Sequence, residues 1–327
     1  MVKARKFVYH SPFDGLPKET DLKLVEEELP PLRDGEFLTK AVFLSVDPYM
    51  RSRAPGVDLG ATYIGSQVAK VIESKNPEHP VGEHLVGRFG WRTHTICDSN
   101  SDFWLVPDLE GLPLSYSLGV LGMPGNTAYF GFLEICQPKP GQTVVVTGAG
   151  GAVGSIVGQI ARIKGCTVIA IAGSEEKGKW LIGDLKFDHF LNYKDVDFET
   201  KLEGVTPNGV DCYFDNVGGE IASIVLTRMN EFGRISVCGA VSGYNNDFSI
   251  KASPIQYLMI RKQLKMEGFN VYRWQERWFE GISQNMKWIQ EGKLQYRETL
   301  TEGFHNMVKA FIAMLEGRNV GKAVVKA

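Results

Sequence analysis

One stretch limits this chain more than any other: "TVVVTGAGGAVGSIVGQIA", Thr143 to Ala161. It begins as an unbroken apolar run, which reads as a strand buried on both faces. A glycine cluster follows. Apolar residues then recur at Val153, Ile156, Val157, Ile160 and Ala161, the spacing of one buried helix face. Strand, glycine loop and helix are the setting that a phosphate needs. Without side chains the backbone approaches the anion closely, and the helix start presents N–H groups and a positive dipole end. The fingerprint is A-x-G-x-x-G, on Ala149, Gly151 and Gly154, within a richer glycine cluster.

The segments downstream keep alternating. "CTVIAIA" reads as a strand and "EEKGKWLIGDL" as a helix; "HFLNY", "VDCYFDNVGG" and "GRISVCGAVS" are short apolar runs between helical or turn segments. This texture predicts an α/β domain, a doubly wound parallel sheet covered on both faces. The second strand ends "IAGSEEK". An NAD site commonly puts a carboxylate at this place to bond the ribose hydroxyls, but Gly173 and Ser174 stand there instead. The small turn leaves room for a 2'-phosphate, and Lys177 lies one helical turn on, so the expected nucleotide is NADPH. Glu175 and Glu176 are expected to face solvent at the helix start, where the dipole favours acids.

The first ~120 residues are β-rich and punctuated by Gly and Pro. "QPKPGQ" marks a connector, a helix is expected over roughly Gln275 to Gln290, and the tail "GFHNMVKAFIAMLEGRNVGKAVVKA" reads as a helix and then a strand that returns to the front domain. A net charge of -2 supplies no basic field for nucleic acid or a membrane surface. No apolar run approaches the ~18 residues of a membrane span. The opening "MVKARKFVYH" has no apolar segment behind its basic residues, so a cytoplasmic location is expected. The five cysteines are scattered, with no CxxC spacing, and the six histidines form no HExxH pair. No metal site is expected.

Five ordered motifs, "SVDPYMR", "GMPGNTAYFG", "TGAGGAVGSIVGQIA", "DCYFDNVGGE" and "FGRISVCGAVSGYN", together with "YRWQ" and the closing "GKAVVKA", resemble the zinc-free branch of the medium-chain dehydrogenase/reductase superfamily, that of the 15-oxoprostaglandin and alkenal reductases. The resemblance covers essentially the whole chain. It implies a GroES-like β-barrel catalytic domain over residues 1–121, completed by 297–327, around an inserted Rossmann NADPH-binding domain over 122–296. It also implies a homodimer joined through the Rossmann sheets. Carried over by position, the cofactor contacts are Gly151, Ala152, Val153 and Gly154 of the loop, Lys177 at the 2'-phosphate, Tyr193 near the adenosine, and Asn216 after the fourth strand. Cys238, Gly239, Ala240, Val241, Ser242, Gly243 and Tyr244 would line the nicotinamide side with Phe269, Asn270 and Val271, and Asn319 would come from the tail.

The implied reaction is NADPH-dependent reduction of the carbon-carbon double bond of α,β-unsaturated ketones and aldehydes, such as 15-oxo-prostaglandins and lipid-derived alkenals. Leukotriene B4 12-hydroxy dehydrogenation is an implied second activity. Charge developing on the carbonyl oxygen must be met by donors. The family places a tyrosine three residues before the Leu of its "LxME" strand; Arg261 holds that place here. Tyr257, one turn earlier, Tyr63 of "GATYIG" and Tyr49 of "DPYM" complete the catalytic candidates. Two other readings of the same scaffold are an NADPH quinone reductase and a non-catalytic NADPH-binding protein.

Overall fold

The front of the chain runs in strands: β1 (Val2–Tyr9), β2 (Leu22–Leu29) and β3 (Phe37–Val46), then the short helix α1 (Tyr49–Arg53), then β4 (Gln67–Ser74), β5 (His84–Gly87), β6 (His94–Cys97) and β7 (Phe103–Leu105). Helix α2 (Met123–Leu133) opens a strictly alternating stretch: β8 (Thr143–Thr147), α3 (Gly154–Ile163), β9 (Thr167–Ala172), α4 (Glu175–Gly183), β10 (His189–Asn192), α5 (Phe198–Val205), β11 (Val210–Asp215), α6 (Gly219–Thr227), β12 (Met229–Val237), α7 (Gln256–Arg261), β13 (Lys265–Gly268) and α8 (Trp278–Gln290). The tail adds β14 (Glu298–Glu302), α9 (Met307–Leu315) and β15 (Lys322–Lys326). The computed structural model describes residues 2–246, 249 and 251–327. Two units result, Met1–Leu118 with Glu298–Ala327, and Gly119–Arg297.

In the second unit six strands form one parallel sheet in the order β10-β9-β8-β11-β12-β13. The order reverses between β8 and β11, which makes their carboxyl ends the switch point where ligands of such sheets lie. Burial explains the apolar runs. Val144, Val145 and Val146 are fully covered, as are Ile156, Val157, Ile160 and Ala161 on the predicted face of α3. The helix expected from Gln275 starts at Trp278; Val271–Arg277 is a 3-10 segment interrupted at Trp274.

In the first unit β1 and β2 pair separately, and the larger sheet runs β14-β15-β3-β4-β5-β7, with β6 also on β3. The tail strand β15 is interior, its Ala323 opposite Val46 of β3. An aromatic core fills one side: Phe7, Tyr9, Phe13, Tyr63, Trp91, Phe304 and Phe311. A charge is buried where β15 meets the end of β3. Lys322 is 1% exposed, and its Nζ donates to Asp47 Oδ1 at 2.5 Å and to the Val46 carbonyl at 2.8 Å. Ser45 Oγ donates to the other Asp47 oxygen. Burial pushes the Lys322 ammonium below the ordinary lysine range, and Asp47 opposes that shift. Removing one member of such a pair strands the other charge. Lys322→Met should therefore lower unfolding free energy by about 3–5 kcal/mol, read as a fall in the urea midpoint, with partial recovery in Lys322→Met/Asp47→Leu.

Candidate functional site

The carboxyl edge of the parallel sheet gathers the glycine loop and the turns after β9, β11 and β12. Gly148 leaves β8 at φ +61, and Asn216 packs against it: a Cβ on Gly148 would lie 3.3 Å from the Asn216 Cβ. A Cβ on Gly154 would meet the Gly148 carbonyl and lie 2.8 Å from the Ala149 Cα. Both obstacles are backbone, so only glycine lets α3 start this close to the loop. Gly150 is open for another reason. The stem of Lys177 crosses it, with Cδ at 2.7 Å from where a Cβ would stand.

The turn after β9 builds a cationic corner. Ser174 caps α4 by accepting from the Lys177 N–H at 3.4 Å. The Tyr193 ring lies over Gly173, where a Cβ would come within 2.7 Å of it, and Lys194 Nζ sits 5.9 Å from that ring's centroid. Burial first, and the Lys194 charge next, push the Lys177 ammonium below the ordinary lysine range. A second cation near a partly buried one is unfavourable, and an anion between them relieves both. No acid competes. Glu175 accepts from the Asn192 amide at 3.2 Å, and Glu176 is exposed. Nothing in "NYKD" separates Lys194 from an ordinary surface lysine; the pairing of β10 with β9 is what brings its charge to bear on Lys177.

At the switch point the polar groups are tied to one another. Asn216 Nδ2 donates to the Thr147 carbonyl at 2.7 Å, and Thr147 Oγ1 donates to Asp215 Oδ1 at 3.1 Å. Asp215 Oδ1 also accepts the Val217 and Gly218 amides, both at 2.9 Å. The 238–244 turn is fastened to this segment. Cys238 N donates to the Asp215 carbonyl at 2.8 Å, Val241 N to Asn216 at 3.2 Å, and Ser242 Oγ to Val217 at 2.6 Å. Gly239 and Gly243 keep this turn small, and Tyr244 closes it, its hydroxyl 3.4 Å from the Ala240 amide. Burial and Asp215 push the Cys238 thiol up to about 12, so it stays protonated at neutral pH.

Gly151, Ala152, Val153, Gly154, Lys177, Tyr193, Asn216 and the 238–244 turn thus come to one edge. Phe269 reaches this edge with its backbone only: its ring packs against Phe214, Trp274 and Gly131. Asn270 Oδ1 accepts from the Tyr272 amide at 3.1 Å, and Val271 is buried. Asn319 belongs to the first unit, where its amide donates to the Gly321 carbonyl at 2.7 Å.

The charge-stabilising candidates need correction. Tyr63 is fully buried in the aromatic core and its hydroxyl donates to the Met50 carbonyl at 2.7 Å; burial raises its pKa further. The geometry makes it a packing residue. Arg261 ends α7 just before Lys262, whose Nζ bonds the Thr227 and Met229 carbonyls at the entry to β12. That is the amino edge of the sheet, opposite the site. Tyr257 is 68% exposed on the solvent side of α7, while Leu258 and Met259 turn to the core. Tyr49 remains. It begins α1 and lines a groove of about 590 Å³ in the first unit.

Fold and site together define a two-unit, dinucleotide-binding oxidoreductase. Two family models match: "N-terminal domain of oxidoreductase" over residues 5–105 and "Zinc-binding dehydrogenase" over residues 152–288. Prostaglandin reductase 1 of Bos taurus is 49% identical over the full length of both chains, and the NADPH-dependent curcumin reductase of Escherichia coli is 38% identical over 98% of this chain and 96% of its own. The crystal structure of CurA in complex with NADPH from Vibrio vulnificus superposes with a TM-score of 0.92 at 38% identity over 99% of each chain. The chain belongs to the prostaglandin reductase family of the medium-chain dehydrogenase/reductase superfamily. Despite the second model's description, the described residues contain no group of three or more His, Cys, Asp or Glu side chains placed to hold a metal ion.

A cationic corner of this kind predicts a nucleotide preference. Lys177→Ala and Lys194→Ala should each weaken binding of a 2'-phosphorylated dinucleotide by about tenfold or more, the worth of a charge-assisted hydrogen bond, and should leave its unphosphorylated counterpart far less affected. Fluorescence titration with NADPH and NADH reads the difference.

Proposed function

We propose that the protein is an NADPH-dependent reductase of the carbon-carbon double bond of α,β-unsaturated ketones and aldehydes, with 15-oxo-prostanoids and lipid-derived alkenals as its substrate class. The observation that carries this is the corner of Gly173, Ser174, Lys177, Tyr193 and Lys194, where no carboxylate ends the strand and two lysines suit a 2'-phosphate, in a chain alike over its full length to prostaglandin reductase 1 of Bos taurus. Leukotriene B4 12-hydroxy dehydrogenation, the reverse redox direction at a different carbon, would use the same cofactor site.

The glycine cradle fits the cofactor. Gly148 to Gly154 and the start of α3 would hold the pyrophosphate, Lys177 and Lys194 the 2'-phosphate, Tyr193 the adenosine, and Asn216 with the 238–244 turn the nicotinamide end. NADPH supplies a hydride to the substrate's β-carbon when bound. The chain's own tasks are orientation and charge. As the β-carbon gains hydride, the π electrons move and negative charge develops on the carbonyl oxygen, which needs a hydrogen-bond donor; the α-carbon then takes a proton from solvent to give the saturated product. Tyr49, half-buried at the start of α1, is the donor we assign. Cys238, held protonated, does not compete for the electrophilic β-carbon.

No helix among the described residues is long and apolar enough to cross a membrane; a cytoplasmic enzyme accords with that. A homodimer through the parallel sheet is supported by its edge. Among the described residues β13 pairs with β12 alone, and Phe232 of β12 and Ile260 of α7 are 63% and 78% exposed. Exposed apolar groups beside an open strand edge are what a second copy would cover.

Two measurements test these assignments. NADPH oxidation should accompany saturation of an enone's double bond, detected in the product by mass spectrometry, and Tyr49→Phe should lower kcat by about 10²-fold with little change in NADPH affinity; an unaltered kcat overturns the Tyr49 assignment. Sedimentation should report a dimer, converted to monomer in Phe232→Lys/Ile260→Lys.

A further inference from the structure

The groove beside Tyr49 has a charge pattern that enone reduction does not require. Tyr49, Val57, Ile64 and Phe89 line it together with Ser52, Thr62 and glycines, and two arginines, Arg53 and Arg88, stand on it; no acidic residue lines it. The groove is built from two segments locked together. Gly90 N donates to the Gly65 carbonyl at 2.9 Å, and Trp91 N to Tyr63 at 2.8 Å. Gly90 adopts φ +76, and a Cβ there would lie 2.6 Å from the Tyr63 carbonyl, so the Arg88–Phe89–Gly90 turn has one shape.

The other arginines nearby are committed elsewhere. Arg51 donates to the Gly15 carbonyl at 3.1 and 3.2 Å and stacks on Phe13, and Arg92 pairs with Glu27 at 2.6 Å. Arg88 is anchored at the surface by Asp102 at 2.5 Å. Arg53 makes no ion pair among the described residues. Its guanidinium lies 5.5 Å from the centroid of the Tyr49 ring, one helical turn back on α1. With Arg88 held by Asp102, Arg53 is the guanidinium on the groove that no ion pair among the described residues neutralises.

We propose that this groove is a specificity site for the anionic end of the substrate: the terminal carboxylate of an acyl-chain enone, held by Arg53 with help from Arg88, its methylene chain lying along Val57, Ile64 and Phe89. Guanidinium matches carboxylate in two-pronged geometry, and the apolar walls take a chain that a small neutral enal does not have. The inference rests on the enone-reduction reading and deepens it.

The test uses the full chain with NADPH and a matched pair of substrates: a long-chain enone bearing a terminal carboxylate, and its methyl ester. The expected result is a kcat/KM for the acid about tenfold above that of the ester, carried by KM. Added salt should reduce the preference. In Arg53→Gln the preference should collapse, in Arg53→Glu invert, and in Arg53→Lys partly return. Equal kcat/KM for acid and ester in the native protein overturns the proposal, as does a preference that survives in Arg53→Gln/Arg88→Gln. Turnover of neither compound overturns the enone reading instead. Calorimetric titration of the saturated acid and its ester then still decides the groove: tighter binding of the acid, lost in Arg53→Gln, supports it, and equal binding of the two overturns it.

Discussion

The close approach of Gly154 to the Gly148 carbonyl and the Ala149 backbone governs the nucleotide unit. A single Cβ at Gly154 would force α3 away from the end of β8. The helix start would then leave the switch point, and the Asn216 side chain, which holds the Thr147 carbonyl at 2.7 Å, would lose its place against Gly148. The parallel sheet provides the edge, but this contact decides that the edge can be reached by a phosphate. The same logic extends outward. Gly150 makes room for the Lys177 stem and Gly173 for the Tyr193 ring, so each glycine removes a side chain exactly where a neighbour's must pass through.

Much of this was legible in the sequence because it is local. The apolar strand, the glycine cluster and the helix face over Val153 to Ala161 lie within one continuous segment, and their periodicities change where the structure changes. The absent carboxylate after "IAIAG" was legible for the same reason. Lys194 was not. It stands 17 residues beyond Lys177 in sequence and meets it only because β10 lies parallel beside β9 and delivers the following turn to the same edge. Helix α8 starts at Trp278, three residues after the expected Gln275, because Val271–Arg277 forms a 3-10 segment interrupted at Trp274.

Arg261 and Tyr257 lie away from the site for a topological reason. Counting three residues back from Leu264 locates Arg261 in the sequence, but strand direction decides which end of the sheet that is. Residues before a strand stand at its amino edge and residues after it at its carboxyl edge, where ligands of doubly wound sheets lie. Gly268 of β13 is level with Val237 of β12, so Phe269 and Cys238 emerge at the site while Arg261 is left at the opposite edge. Tyr63 is a different case. Its motif gives no sign that Tyr9, Phe13, Trp91 and Phe311, from distant parts of the chain, enclose its ring.

Tyr49 and Arg53 share a short helix, and short helices have little stability of their own. What holds α1 is its entry. Asp47 gives its carbonyl to the Met50 amide at 3.2 Å, and its carboxylate is held by Lys322 and Ser45 beneath the surface. A buried ion pair is a poor source of stability compared with apolar packing, but it tolerates few alternative arrangements. Here it joins the last strand of the chain to the start of the helix that carries both a phenol and a guanidinium without an ion pair among the described residues. The tail strand thus does more than complete a sheet: through Lys322 it sets the direction in which Asp47, Tyr49 and Arg53 leave β3, and with it the shape of the groove.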